Sequence, residues 1–146
     1  MRVLGIVLFP GFELLDVYGP VEMFGMYPDE FELRTVAESK GLVPSGMGPA
    51  TAIDDTFADG RDYDLLLVPG GPGTRTEVDN NVLIDWLRAV SDRAELITTV
   101  CTGSAVLART GLLDGRRATT NKNAFAWVEG MGPNVMQFGE DMVVAV

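Results

Sequence analysis

The sequence predicts an α/β fold built on a mainly parallel open sheet with helices on both faces. Three observations predict it. Residues 3–9, 65–68 and 96–100 are continuous apolar or β-branched runs. A strand apolar on both faces belongs in a sheet covered on both sides. Segments with helical spacing alternate with these runs, the order of a doubly covered sheet. Each run also ends in small or turn-forming residues: Pro10-Gly11, Pro69-Gly70-Gly71, and Cys101-Thr102-Gly103.

Taken in order, residues 3–9 read as the first strand and 16–26 as the helix behind it. Residues 31–36 alternate apolar and polar and read as a strand nearer an edge. The loose stretch 41–49 reads as a loop or hairpin, with a weak strand at 51–53. Residues 65–68 and 96–100 are expected as interior strands. Between them, 81–93 carries Val82, Leu83, Trp86, Leu87 and Val90 on one helical face. Residues 102–110 form a helix ending at Gly111, a glycine placed to cap it. A weak strand at 117–120 and a helix at 123–131 follow. Residues 134–142 are mixed, and 143–146 read as a last strand. No repeat, low-complexity tract or linker divides the chain, so 1–146 is expected to be a single domain.

Composition removes several kinds of function. The 146 residues carry 11 basic and 21 acidic side chains, a net charge of −10. Such a surface repels a phosphate backbone, so no nucleic-acid partner is expected. No apolar run approaches the ~20 residues needed to span a bilayer, and the short apolar N-terminus lacks a cleavage site, so the expected location is the cytoplasm. Histidine is absent and cysteine occurs once. A Ser-His-Asp triad, a Cys-His dyad, a His-ligated metal and a zinc-cysteine cluster are all excluded, even in a homo-oligomer.

The chemistry that remains lies at the ends of the strands. Residues 96–100 run straight into Cys101, and small residues then open a helix. A tight strand-to-helix turn of this kind presents a nucleophile, and the helix N-terminus favours the thiolate. Cys101 fits that description and also fits a buried structural cysteine. The loop at Gly70 and Gly71 lets a backbone approach a ligand and aim its amides at an anion, or it is a plain turn. If the strands ending at Gly71 and Cys101 are neighbours, the amides of Gly71 and Thr102 make an oxyanion-hole-type pair. Just past the first strand, Asp16 and Glu22 are candidate acid-base groups. Asp16 equally suits a helix N-cap, and Glu22 a solvated helical face.

These motifs together resemble the ThiJ/PfpI family, within the class I glutamine-amidotransferase-like superfamily. The residues that carry the likeness are Leu15-Asp16-Val17-Tyr18-Gly19-Pro20 with Glu22, Val68-Pro69-Gly70-Gly71, Val100-Cys101-Thr102-Gly103-Ser104, and the run from Gly111 to Thr120. The likeness extends over about residues 1–135 and is nearest to isonitrile hydratases and to the ligand domains of AraC-type regulators. It implies a flavodoxin-like sheet with a nucleophile elbow at Cys101. It also implies Asp16 as the essential carboxylate, and Gly70, Gly71 and Thr102 around the substrate. Many relatives place a histidine where this chain has Asn121 and then Lys122, which makes Asn121 a secondary site candidate. The reaction implied is hydration of an isonitrile through a Cys101 thioimidate, with no cofactor and no metal. A homodimer is expected by the same likeness. A small-molecule sensor domain and a stress-response carbonyl or redox protein are the alternatives. The resemblance further implies a final strand and helix that this sequence does not contain.

Overall fold

The computed structural model describes residues 1–139. In chain order the elements are β1 (Arg2–Val7), α1 (Leu14–Gly25), β2 (Phe31–Ala37), β3 (Leu42–Pro44), β4 (Ala50–Ala52) and β5 (Asp55–Thr56). There follow β6 (Leu65–Val68), α2 (Thr74–Glu77), α3 (Asn81–Ser91), β7 (Leu96–Thr99) and α4 (Gly103–Arg109). The described chain ends with β8 (Arg117–Ala118), α5 (Phe125–Glu129) and β9 (Gln137–Phe138). Strands β5-β2-β1-β6-β7 form one sheet in that order, and every pairing in it is parallel.

The centre of the sheet follows from its sequence. Leu65, Leu66, Leu67 and Val68 of β6 are all buried, as are Leu4, Ile6 and Val7 of β1. Successive strand residues point to opposite faces, so both faces of these strands are covered. Each such Leu, Ile or Val contributes roughly 1.5–3 kcal/mol by leaving water. Helix α3 buries Leu83, Ile84, Leu87 and Val90. Its N-terminus is capped by Asn80, whose side chain accepts from the amides of Val82 and Leu83. Gly5 leaves room for Tyr63: a Cβ there would lie 2.6 Å from the Tyr63 ring. Buried Asp55 accepts two hydrogen bonds from Arg34 and one from the Tyr63 hydroxyl, fastening β5 to β2.

Two sequence expectations are corrected. Residues 96–100 were expected inside the sheet, but β7 is its outermost strand among the described residues, with Leu96 45% exposed. An apolar, β-branched run specifies an extended segment but not its neighbours. Here Thr98 turns its hydroxyl to the Leu66 carbonyl (3.0 Å) instead of into a further layer. The first run leaves the sheet at Val7, and Leu8 and Phe9 continue as buried loop. The Gly-rich loop after β6 leads into a short helix that the sequence reading does not name: α2 starts at Thr74, whose hydroxyl donates to the Gly71 carbonyl at 2.7 Å.

The remaining elements match their expectations closely. The 41–49 stretch is a hairpin, β3 pairing antiparallel with β4 outside the main sheet. β8 occupies the weak strand at 117–120, and a 3-10 turn (Lys122–Ala124) precedes α5. Residues 143–146 lie outside the described residues. Inside α1, Pro20 has no amide hydrogen, so it cannot close the helical bond onto the Asp16 carbonyl. Among the described residues no helix is long and apolar enough to cross a membrane.

Candidate active site

The chain leaves β1 for β2 on one side and later returns to β6 on the other. Open parallel sheets bind ligands outside the carboxyl ends of the strands where such a reversal occurs. Asp16 follows β1, Gly70 and Gly71 follow β6, and Cys101 follows β7, so all four stand along this edge.

Cys101 has a φ of 54° and is the one non-glycine residue with positive φ among the described residues. A left-handed side-chain-bearing residue costs roughly 1–3 kcal/mol and persists where its surroundings hold it. The surroundings are visible. The Val100 amide donates to the Val68 carbonyl (3.0 Å), and the Gly103 amide to the Val100 carbonyl (2.9 Å). Gly103 must be glycine, because a Cβ would lie 2.2 Å from the Val68 carbonyl oxygen. The Cys101 carbonyl is held by two hydroxyls, Ser104 Oγ at 3.0 Å and Thr120 Oγ1 at 3.1 Å. Those hydroxyls are 2.7 Å apart and buried. The thiol itself is free and half-buried.

Asp16 lies in the first turn of α1, and its Oδ2 accepts the Gly70 amide hydrogen at 2.9 Å. Burial pushes its pKa above the ordinary 3.8; the Gly70 hydrogen bond opposes this and the charge of Glu13 adds to it. Gly70 is the pivot of the site. A Cβ there would lie 2.7 Å from the Thr102 amide nitrogen, 2.8 Å from Thr102 Oγ1 and 2.9 Å from Asp16 Oδ2. Carboxylate, amide and hydroxyl therefore border one small space that only a glycine leaves open. Gly71 has a φ of 117° and packs against the backbone of residues 11–13, where a Cβ would come within 2.5 Å.

The expected pair of amide donors is not left free as a pair. The Gly71 amide donates to Thr102 Oγ1 at 3.2 Å, and Thr74 Oγ1 lies 3.1 Å from the same oxygen. The Thr102 amide makes no hydrogen bond to the described residues and stands as the available donor. Glu22 does not join the group. It is exposed, and six residues beyond Asp16 it lies about 120° round the helix. Asn121 is a local cap, its side chain accepting the Asn123 amide at 2.9 Å. Among the described residues no three acidic, Cys or His side chains gather to hold a metal. Reading the sequence alone gave no site role to Ser104, Thr74 or the Thr120 hydroxyl. For Ser104 and Thr74 the available signal was a hydroxyl residue directly after a glycine; Thr120 carried no such signal.

Comparison with known proteins bears on the family and the fold. An isonitrile hydratase from Pseudomonas putida is 36% identical over 118 residues, covering 81% of this chain and 51% of that protein. The HTH-type transcriptional regulator CdhR from Pseudomonas aeruginosa is 30% identical over 122 residues, covering 81% of this chain and 36% of the regulator. The chain thus spans about half the length of the first and about a third of the second. The crystal structure of a ThiJ/PfpI family protein from Pseudomonas syringae superimposes with a TM-score of 0.89 at 31% identity, over 99% of this chain and 59% of that one. The sheet is accordingly of the flavodoxin-like type those structures share. The DJ-1/PfpI family model matches residues 1–145, and the chain belongs to that family.

Proposed function

We propose that the chain forms the catalytic part of a cysteine-dependent enzyme acting on a small molecule, and that its reaction is the hydration of an isonitrile to an N-formamide. The observation that carries this reading is the left-handed Cys101 on the same sheet edge as a half-buried, raised-pKa Asp16. With no histidine in the chain, that carboxyl group is the natural proton carrier. The 36% identity to an isonitrile hydratase supports the same reaction.

In this mechanism the Cys101 sulfur bonds to the terminal isonitrile carbon, which takes a proton from the Asp16 carboxyl group. The product is a thioimidate, R–N=CH–S. The Asp16 carboxylate then takes a proton from a water that attacks the same carbon, and passes it to the nitrogen. The C–S bond breaks, the sulfur leaves as thiolate, and the hydroxyl proton returns to Asp16. Isonitrile plus water has become N-formamide, with the enzyme restored and no cofactor used. The Thr102 amide orients the reacting group.

Two further features belong to the same proposal. Leu15 and Met23 on α1, Met26 just after it and Met47 in the hairpin are each more than 60% exposed, and apolar exposure of this kind suits pairing with a second copy. A cytoplasmic location suits the single cysteine, which a reducing compartment keeps as a free thiol.

The likeness to CdhR favours a second reading, a ligand-sensing domain that binds without turnover. A panel of isonitriles presented to the wild type and to Cys101→Ala separates the two. Formamide production by the wild type alone is expected. Turnover that survives in Cys101→Ala overturns the mechanism, and saturable binding without formamide favours the sensor.

A further inference from the structure

A hollow of about 280 Å³ opens near the carboxyl ends of β1 and β2, between the hairpin and the start of α3. None of Asp16, Gly70, Gly71, Cys101 and Thr102 lines it. Its walls are mainly apolar, with Leu8, Phe9, Leu42, Val43, Phe57 and Leu83 among them. Its polar groups are Glu38, Ser39, Lys40, Glu77 and Asn80.

The hydrogen bonds among these groups leave one need unmet. Glu77 is 93% buried, as its 7% exposure gives. Its Oε2 accepts from Asn80 Nδ2 at 2.8 Å, while Oε1 accepts none from the described residues and keeps some contact with solvent. The same Nδ2 reaches Glu38 Oε2 at 3.2 Å. Both amide hydrogens of Asn80 are thereby spent, and its Oδ1 is spent on capping α3. Two carboxylates converge on one neutral amide, each with an oxygen to spare. Lys40 does not serve them: its ammonium group contacts the Asp54 carbonyl and lies 3.7 Å from Asp59. Burial and the Glu38 charge both push the Glu77 carboxyl up from its ordinary 4.5, the mark of a negative charge lacking a counter-charge.

A metal ion is a poor match, since the described residues gather no three acidic side chains. A protonated primary amine is a good one. It carries three N–H donors on one point charge, enough to serve both carboxylates. An apolar body attached to it would fill the rest of the hollow, as ligand pockets with few polar anchors generally require. We propose that this hollow binds a small primary amine with an apolar body, its ammonium group set between Glu77 and Glu38. This inference stands apart from the reaction at Cys101 and does not depend on it.

The probe is phenethylammonium, with 2-phenylethanol as its neutral match, each titrated into the chain by calorimetry and protein NMR. Saturable binding of the amine is expected, with shifts at Phe57 and Leu83. The alcohol should bind at least about tenfold more weakly, and Glu77→Gln should weaken the amine by a similar factor. Glu38→Gln, on the exposed side, should weaken it less. The proposal fails if the alcohol binds as well as the amine, if Glu77→Gln leaves amine affinity unchanged, or if no saturable binding occurs at millimolar amine. The amine-alcohol comparison is made on the wild type, so it decides the matter even if a variant folds poorly.

Discussion

The Asp16 carboxylate accepts the Gly70 amide hydrogen at 2.9 Å, joining the first turn of α1 to the loop after β6 across the point where the sheet's connections reverse. The bond does two opposing things to Asp16. It fixes one oxygen toward the Thr102 side of the site, and it partly offsets the burial that raises the pKa. Burial is the larger of the two, so the group is easier to protonate than a solvated aspartate.

Replacing Asp16 by Asn keeps a carbonyl to accept the Gly70 amide but removes the proton. Turnover should fall by roughly 10²–10⁴, the usual worth of general acid-base catalysis. The sign for stability is the reverse. A carboxyl whose folded pKa lies above its unfolded value disfavours folding once ionised, and that penalty fades as pH falls through the raised pKa toward 3.8. Asp16→Asn should therefore unfold at the same denaturant concentration as the wild type or a higher one at neutral pH. Chemical denaturation beside turnover measurements checks both.

Gly70→Ala puts a methyl group against the Thr102 amide, the Thr102 hydroxyl and Asp16 Oδ2, all within 2.9 Å of its position. Two of these three are parts of the backbone or of a tethered loop, so they cannot simply swing away. A loss of about 1–3 kcal/mol is expected, the range for overpacking. Turnover should fall even in the fraction that remains folded. Thermal unfolding combined with active-site titration would show whether it does.

Cys101 pays for its position with a left-handed backbone. Cys101→Gly removes the side chain that makes this conformation costly, and should stabilise the chain by up to about 1 kcal/mol while abolishing turnover. Cys101→Val should destabilise it by more than 1 kcal/mol, roughly, because a β-branched residue tolerates positive φ least. Equal melting temperatures for the two variants would contradict the strain assigned to this turn.

Asp55 provides the acid limb of stability. The Arg34 hydrogen bond, foremost, holds its pKa below 3.8 against the opposing effect of burial. A carboxylate depressed in the folded state contributes stability that is present above the unfolded value and lost as pH falls through the folded one. Asp55→Asn should cost about 2–4 kcal/mol at pH 7, somewhat under the range for a fully buried pair because Arg34 is 28% exposed. The gap between variant and wild type should close below pH 3.8. Circular dichroism followed across an acid titration would measure it.

The parts of the fold and site that were legible in the sequence are those set by local chemistry. The four buried residues of β6 announce a central strand, and the glycine after Cys101 announces a turn too tight for a side chain. Strand order is different, because it depends on which distant segments pair. The run 96–100 is as apolar as a central strand, yet it stands at the border of the described sheet. Glu22 could have been separated from Asp16 at the outset, since helical periodicity alone turns it to another face. The use of the Gly71 amide by Thr102 could not, because that bond joins residues 31 positions apart and appears only once β6 and β7 lie side by side.

The proline in α1 gives Asp16 an unusual mechanical standing. With no amide at residue 20 to grip it from above, the Asp16 backbone loses one rung of its own helix, while its side chain is anchored to a different element altogether. The carboxylate proposed as the proton carrier is therefore held by the loop after β6 as well as by its own helix. Under the proposed mechanism, replacing residues on the outer surface of α1 leaves the Asp16–Gly70 bond, and with it the proton carrier, in place.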